Sequence, residues 1–324
     1  MPAWNQLLAE IDEKSPVAAL KWLEETQKSA LQQIGQLRAD KATGKPRNVI
    51  LYGTAFLQKP LAANATSLTH EEINGLMSVM FGMTWDHGLT LILHTPGGIT
   101  NAAETFVDYI RKKFPYVEVI VPTYAMSAGT MISLGADCIV MGKQSQLGPI
   151  DPQMPIGGTY VSASSIVDLF EKAKADIVGP GGNLQAAHVW APILQSMGPA
   201  VLQEATYAIQ YGEDMVARWL EKYMMAPKGK QAKAEGARIA KHFNATSTHK
   251  SHGRRIDRDE VRTQGLNVED LEATQELQDA VLTAYHLMTI LFEKTPAAKI
   301  LLSDAGRLWI KNVPGDQQTH VNLQ

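Results

Sequence analysis

Two stretches decide the fold: LTLILHTPGG, residues 89–98, and VEVIVPTYAMSAGTMISLGAD, residues 117–137. Each begins as a short apolar run, much of it β-branched, suited to a strand buried on both faces. Each run closes in small residues, and a helical pattern follows: NAAETFVDYIRKKF (101–114) after the first, and 127–135 within the second. Strand, turn and helix in this repeated order argue for parallel strands covered by helices. NVILYG (48–53), ADCIVMG (136–142) and the helical stretch THEEINGLMSVMFGM (69–83) extend the rhythm on both sides. The class is α/β.

Working outward, residues 4–40 place Trp4, Leu7, Leu8 and Ile11, then Leu20, Trp22, Leu23, Leu31, Ile34 and Leu37, at helical steps. Pro16 divides this arm into two helices with Ser15 as N-cap. The arm, 1–46, is expected to pack on its own domain or on a second subunit, and the polar residues 39–47 link it to a domain spanning 47–324. Within that domain the core motifs fall in 48–153, and a helical and flap region in 160–260. A C-terminal helix and tail, 269–324, complete it. Residues 160–225 read as helical around a Gly-Pro-Gly-Gly loop at 179–182, and the polar stretch 228–255 as a mobile surface segment. A long helix follows over 269–294, and the tail 306–324 has strand character at 307–310 before turning polar.

Composition narrows the class of function. The 324 residues are 45% apolar with a net charge of -3, enough for a large core and too little positive charge for a protein built to bind nucleic-acid phosphate. Cys138 is the single cysteine, which excludes an intrachain disulfide and a Cys-rich zinc site. Glu10, Asp12 and Glu13 interrupt the apolar run that a secretory signal needs, and nowhere do ~18 apolar residues follow one another as a membrane-spanning helix requires. The expected setting is cytoplasmic.

The chemistry lies at the two turns. Consecutive glycines in HTPGG (94–98) let the backbone turn sharply and leave amide N–H groups uncovered. By itself the segment reads either as a plain strand–helix turn or as a donor set for a developing oxyanion. Ser127, where a helix should begin, reads either as an N-cap or as a nucleophile; Ala125, Ala128 and Gly129 leave room for a peptide backbone to approach it. Adjacent parallel strands would bring both turns to the carboxyl edge of one sheet, where open α/β folds place their sites.

TPGG (95–98), MSAGT (126–130), LGAD (134–137) and LGPIDPQ (147–153), in this order and spacing, resemble the Clp protease/crotonase superfamily. Within it the chain is most similar to the serine dehydrogenase proteinase family, relatives of signal peptide peptidase A. HGRRIDRDEVRTQGLNV (252–268) resembles the superfamily's late segment, a turn and helix ending in Gly-Leu before a final strand. The resemblance implies a Clp protease/crotonase-like spiral of ββα units, here with an N-terminal helical arm and additional C-terminal helices. It further implies an ATP-independent serine peptidase acting on a peptide or protein substrate as a homo-oligomer. Ser127 would be the nucleophile, Gly98 and Ala128 the oxyanion-hole amides, and Gly97, His94 and Asp151 would line the site.

The base is where the chain departs from the Clp pattern. Asp151 stands at the position that best matches the Clp histidine, which leaves a His–Asp relay of that kind unsupported. Peptidases of the signal-peptide type use a lysine, effective only where burial or a cationic neighbour favours its neutral form. In SSIVDLFEKAKADI (164–177) the residues Ile166, Phe170, Ala173 and Ile177 form a helical stripe. Lys174 lies about 60° from its centre and Lys172 about 140°, so Lys174 is the expected base. Asp151 is expected to orient the lysine, cap a turn or bind a backbone amide, and His188 to lie in the core. The polar spread of His242, His249 and His252 reads as a substrate-facing flap rather than a metal site. No metal and no cofactor is expected. Two rival classes remain, an inactive oligomeric scaffold of the same fold and a crotonase-like enzyme acting on an acyl-CoA thioester.

Overall fold

The computed structural model describes residues 4–314. Two compact units divide the chain: residues 1–147 with 255–324, and residues 148–254. The first 46 residues thus fall inside the first unit.

The first unit is built on a seven-stranded sheet. Its strands are β1 (Asn48–Thr54), β2 (Leu89–His94), β3 (Val117–Val121), β5 (Cys138–Met141), β10 (Val268–Asp270), β11 (Ala297–Ser303) and β12 (Leu308–Asn312), in the order β10-β5-β3-β2-β1-β11-β12. The first five of these run parallel; β11 joins β1 antiparallel, and β12 follows it antiparallel. A small second sheet joins β4 (Tyr124–Ala125), β6 (Gln146–Leu147) and β9 (Ile256–Asp257). Every residue of β1, β2, β3 and β5 is buried, as expected of largely apolar strands covered on both faces.

One face of the sheet packs Val49, Leu51, Ile92, Ile120 and Val140 against the helices Pro16–Leu37 and Gln275–Lys294. Leu31 and Ile34 are fully buried there. The N-terminal arm therefore covers its own sheet. Arg38, at its end, donates to Glu118 on β3 at 3.0 and 2.7 Å and to Glu269 on β10 at 2.7 Å, and Arg47 pairs with the same buried Glu118. On the opposite face Tyr52 meets Phe106 of the helix Thr100–Lys113, ring centroids 5.8 Å apart. Ala103, Phe106, Val107 and Ile110 supply that helix's buried stripe at three- and four-residue steps.

The second unit opens with the hairpin β7 (Gln153–Ile156) and β8 (Thr159–Ser162), turned at Gly157 and Gly158, both at positive φ. The helices Ala163–Val178, Ala187–Met197, Val201–Lys222 and Ala232–Asn244 follow.

Four expectations need correction. The polar stretch 228–255 is not an irregular surface segment, for it holds the helix Ala232–Asn244 with Ile239, Ala240 and Phe243 fully buried. Its lysines and arginine occupy the outer face and mask the stripe in a composition count. Second, β11 stands inside the sheet where no strand was expected, because Lys299 breaks the apolar run AAKILLS. Third, the long helix begins at Gln275 rather than 269, since β10 occupies 268–270. Last, His188 is exposed rather than a core residue. The end of the polar tail, 315–324, lies outside the described residues.

Candidate active site

Backbone pairing beyond β2 brings the two turns together. Thr95 N–H donates to the Tyr124 carbonyl at 3.0 Å, and Met126 N–H donates to the Thr95 carbonyl at 3.0 Å. These bonds fasten the residue before Pro96 to the residues before Ser127. Ser127 itself holds φ 51° and ψ -115°, a conformation that costs a non-glycine residue about 1–3 kcal/mol. It stands at the N-cap position of the wholly buried helix Ala128–Leu134, yet its hydroxyl makes no capping bond. The side chain is half-buried. A serine bent this way, with its oxygen not used as a cap, has the local form of a presented nucleophile.

Gly97 explains why the facing turn is glycine. Its φ is 99°, and a Cβ there would lie 2.6 Å from both Ser127 Cβ and the Met126 carbonyl oxygen, and 2.9 Å from the Ala128 amide nitrogen. Any side chain at 97 would displace the serine. Gly98 (φ 153°) is pressed as closely on Leu68, whose nitrogen would lie 2.5 Å from an added Cβ. The Gly97 carbonyl accepts from Leu68 N–H at 2.8 Å. In a trans peptide N–H and C=O point opposite ways, so the Gly98 amide faces away from Leu68. Among the described residues neither the Gly98 nor the Ala128 amide donates to a backbone acceptor. Two uncommitted N–H groups beside a presented hydroxyl can hold a developing oxyanion.

His94 ends β2 one residue before this turn, but it is a packed residue. It is 0% exposed, and its ring stands 5.0, 5.1 and 6.0 Å from Phe56, Tyr285 and Tyr124. Nδ1 meets the Thr123 hydroxyl at 2.9 Å. Burial pushes the imidazole down to about 3, so the ring is neutral at ordinary pH.

The remaining expected residues lie in the second unit. Ile166 and Ala173 are buried and Phe170 and Ile177 half-buried, which makes the stripe of the helix Ala163–Val178 the expected one. Lys174, however, projects into solvent with a side chain 70% exposed, 3.8 Å from Glu171. Helical angle places this lysine only at the stripe's edge, where a long flexible side chain is free to turn outward.

Asp151 is 2% exposed, and here sequence reasoning missed its partner. His252 Nδ1 stands 2.8 Å from Asp151 Oδ1, and Gln153 Nε2 donates to Oδ2 at 2.7 Å. Burial alone would raise this carboxyl. The bond and charge of His252, together with the Ser162 hydroxyl, outweigh it and hold Asp151 below the usual carboxylate range. One hundred and one positions separate the two residues, and no local motif joins them. The neighbouring His249 donates through Nε2 to the His242 carbonyl at 2.8 Å and accepts at Nδ1 from Arg254 at 3.1 Å. Among the described residues no group of three His, Cys, Asp or Glu could hold a metal ion. No described helix is long and apolar enough to cross a membrane.

Residues 68–187 match the family of ClpP-like SDH-type serine proteinases. The match takes in the segment that carries both turns, and the fold is α/β with a central, mostly parallel sheet. An uncharacterized protein of Methanocaldococcus jannaschii is 39% identical over 109 residues, 34% of this chain and 37% of that protein. A second from the same organism is 39% identical over 89 residues, 28% of this chain and 30% of its own length. The chain therefore spans about a third of the length of these curated relatives. Among solved structures, the 1510-N membrane-bound stomatin-specific protease aligns over 72% of this chain and 81% of its own, at 17% identity and a TM-score of 0.35. ClpP1 from Listeria monocytogenes aligns over 71% and 94%, at 14% identity and a TM-score of 0.35.

Proposed function

We propose that this chain is a serine peptidase. Ser127 attacks the peptide carbonyl, the Gly98 and Ala128 amides receive the oxyanion, and Gly97 keeps the approach open. The observation that carries this reading is the strained, uncapped Ser127 against which only a glycine fits. For the base, the chemistry of each candidate's own surroundings favours His252 over Lys174. With Nδ1–H donating to the buried Asp151, Nε2 carries the lone pair that can take a hydroxyl proton. A lysine base depends on desolvation, and Lys174 has an exposed side chain.

The reading is tested with a fluorophosphonate, which phosphonylates an activated serine. Wild type is expected to be labelled at Ser127, and Ser127→Ala to lose labelling by about 10³-fold or more. Equal labelling of the two would reject Ser127, and an unlabelled but well-folded wild type would favour the inactive scaffold.

A further inference from the structure

A fully buried ion pair lies behind the glycine turn. Lys299 Nζ on β11 meets Glu72 Oε1 at 2.7 Å, and their side chains are 3% and 2% exposed. Two chains of contacts leave this carboxylate. In one, Tyr52 O–H on β1 donates to Glu72 Oε1 at 2.9 Å, the Thr95 side chain lies close enough to the Tyr52 phenol to act on its ionisation, and Gly97 N–H donates to Thr95 Oγ1 at 3.2 Å. In the other, Glu72 Oε2 accepts from the Thr69 amide and hydroxyl, each at 2.9 Å. The residue before Thr69 is Leu68, which donates to the Gly97 carbonyl at 2.8 Å and accepts from Ile99 N–H at 3.0 Å.

We propose that the Glu72–Lys299 pair, acting through Tyr52–Thr95 and through Thr69–Leu68, is the positioning device for the Gly98 amide. The two chains hold Gly97 by both of its backbone groups: its nitrogen, in the 96–97 peptide, and its carbonyl, which shares the 97–98 peptide with the Gly98 amide. Rotation of that peptide would break one of them. Glycines at φ 99° and 153° have little intrinsic preference, so the turn needs such an external constraint.

The ion pair's location points the same way. Burying two charges between a helix and a sheet strand is rarely the most stable choice, and an apolar pair at Glu72 and Lys299 would have served for packing. Burial, and then the charge of Glu72, hold the Tyr52 phenol far above its ordinary range. It therefore keeps the proton it donates to Glu72, while the Thr95 oxygen accepts from Gly97 N–H.

This inference rests on Gly98 as an oxyanion donor, and its test reads the amide separately from activity. The full chain is labelled with ¹⁵N-glycine, and the Gly97 and Gly98 amide signals are followed in wild type, Tyr52→Phe, Thr95→Val and Thr95→Ser. Peptide hydrolysis is measured on the same samples. Tyr52→Phe and Thr95→Val are expected to shift both signals and to lower kcat about ten- to a hundredfold, with KM changed by less than about threefold. Thr95→Ser keeps the hydroxyl and is expected to restore both readouts. Unshifted signals in Tyr52→Phe, or a Thr95→Ser as impaired as Thr95→Val, would overturn the proposal. If wild type hydrolyses nothing and takes up no fluorophosphonate, the peptidase reading fails while the amide signals still decide the positioning.

Discussion

His94 and His252 occupy opposite chemical situations, each in its own unit. His94 stands one residue from the TPGG turn, and everything about its place in the sequence suggests participation. Yet it is wrapped in three aromatic rings, meets a neutral hydroxyl through Nδ1, and finds no partner for Nε2 among the described residues. His252 comes from a polar stretch, keeps 29% of its side chain exposed and has a buried carboxylate on Nδ1. Nearness to a functional turn does not make a base. What a base needs is a partner for the charge it will acquire, and access for the proton it will take.

That contrast can be broken most directly by activity. His252→Ala is expected to lower peptide hydrolysis by about 10²- to 10⁴-fold, while His94→Gln lowers it by less than about threefold. Asp151→Asn is expected to follow His252→Ala, because the amide no longer accepts from Nδ1–H. Turnover measured across pH 5–9 gives the comparison, and a fully active His252→Ala would end the role assigned to that residue.

A smaller effect sharpens the other half of the comparison. The folded value for His94, about 3, lies below the ordinary 6.5. Between those values the unfolded chain binds a proton that the folded chain refuses, so stability rises with pH. His94's contribution is complete above the ordinary value and is lost as pH falls toward the folded one. Urea unfolding is expected to show roughly 2 kcal/mol of stability lost between pH 7 and 5, with the slope flattened in His94→Gln. Asp151, whose value is depressed, acts lower: its contribution is present above the unfolded carboxylate range and disappears only as pH falls through its own folded value. An unchanged slope in His94→Gln would mean that another group carries the dependence.

The smallest expected effect belongs to Lys174. Its 3.8 Å pair with Glu171 is exposed on both sides, so Lys174→Ala should move stability by less than about 0.5 kcal/mol and leave hydrolysis at wild-type level. A large loss of turnover in this variant, with urea stability intact, would return the base to the lysine.

The sheet and the two turns were legible because each depends on local signals. Apolar runs of five or six residues identify buried strands, and small residues at their ends identify tight turns. The dyad and the positioning chain had no such signal. Asp151 and His252 come from a proline-bounded loop and a polar segment, each ordinary by itself. Nothing local in the sequence pairs Glu72 with Lys299, and Lys299 interrupts the apolar run of the strand that carries it.

By itself the sequence determined that the apolar runs beginning at Leu89 and Val117 lead into glycine and serine turns, since strand and turn formation follow from neighbours a few residues away. Only the tertiary structure decided that Gly97 is sealed against Ser127, that Asp151 holds a histidine, and that Glu72 meets a lysine inside the sheet. The last two are properties of a carboxylate's partner. Partner choice depends on which distant side chains share its low-dielectric surroundings, and that is known only once the chain has closed around them.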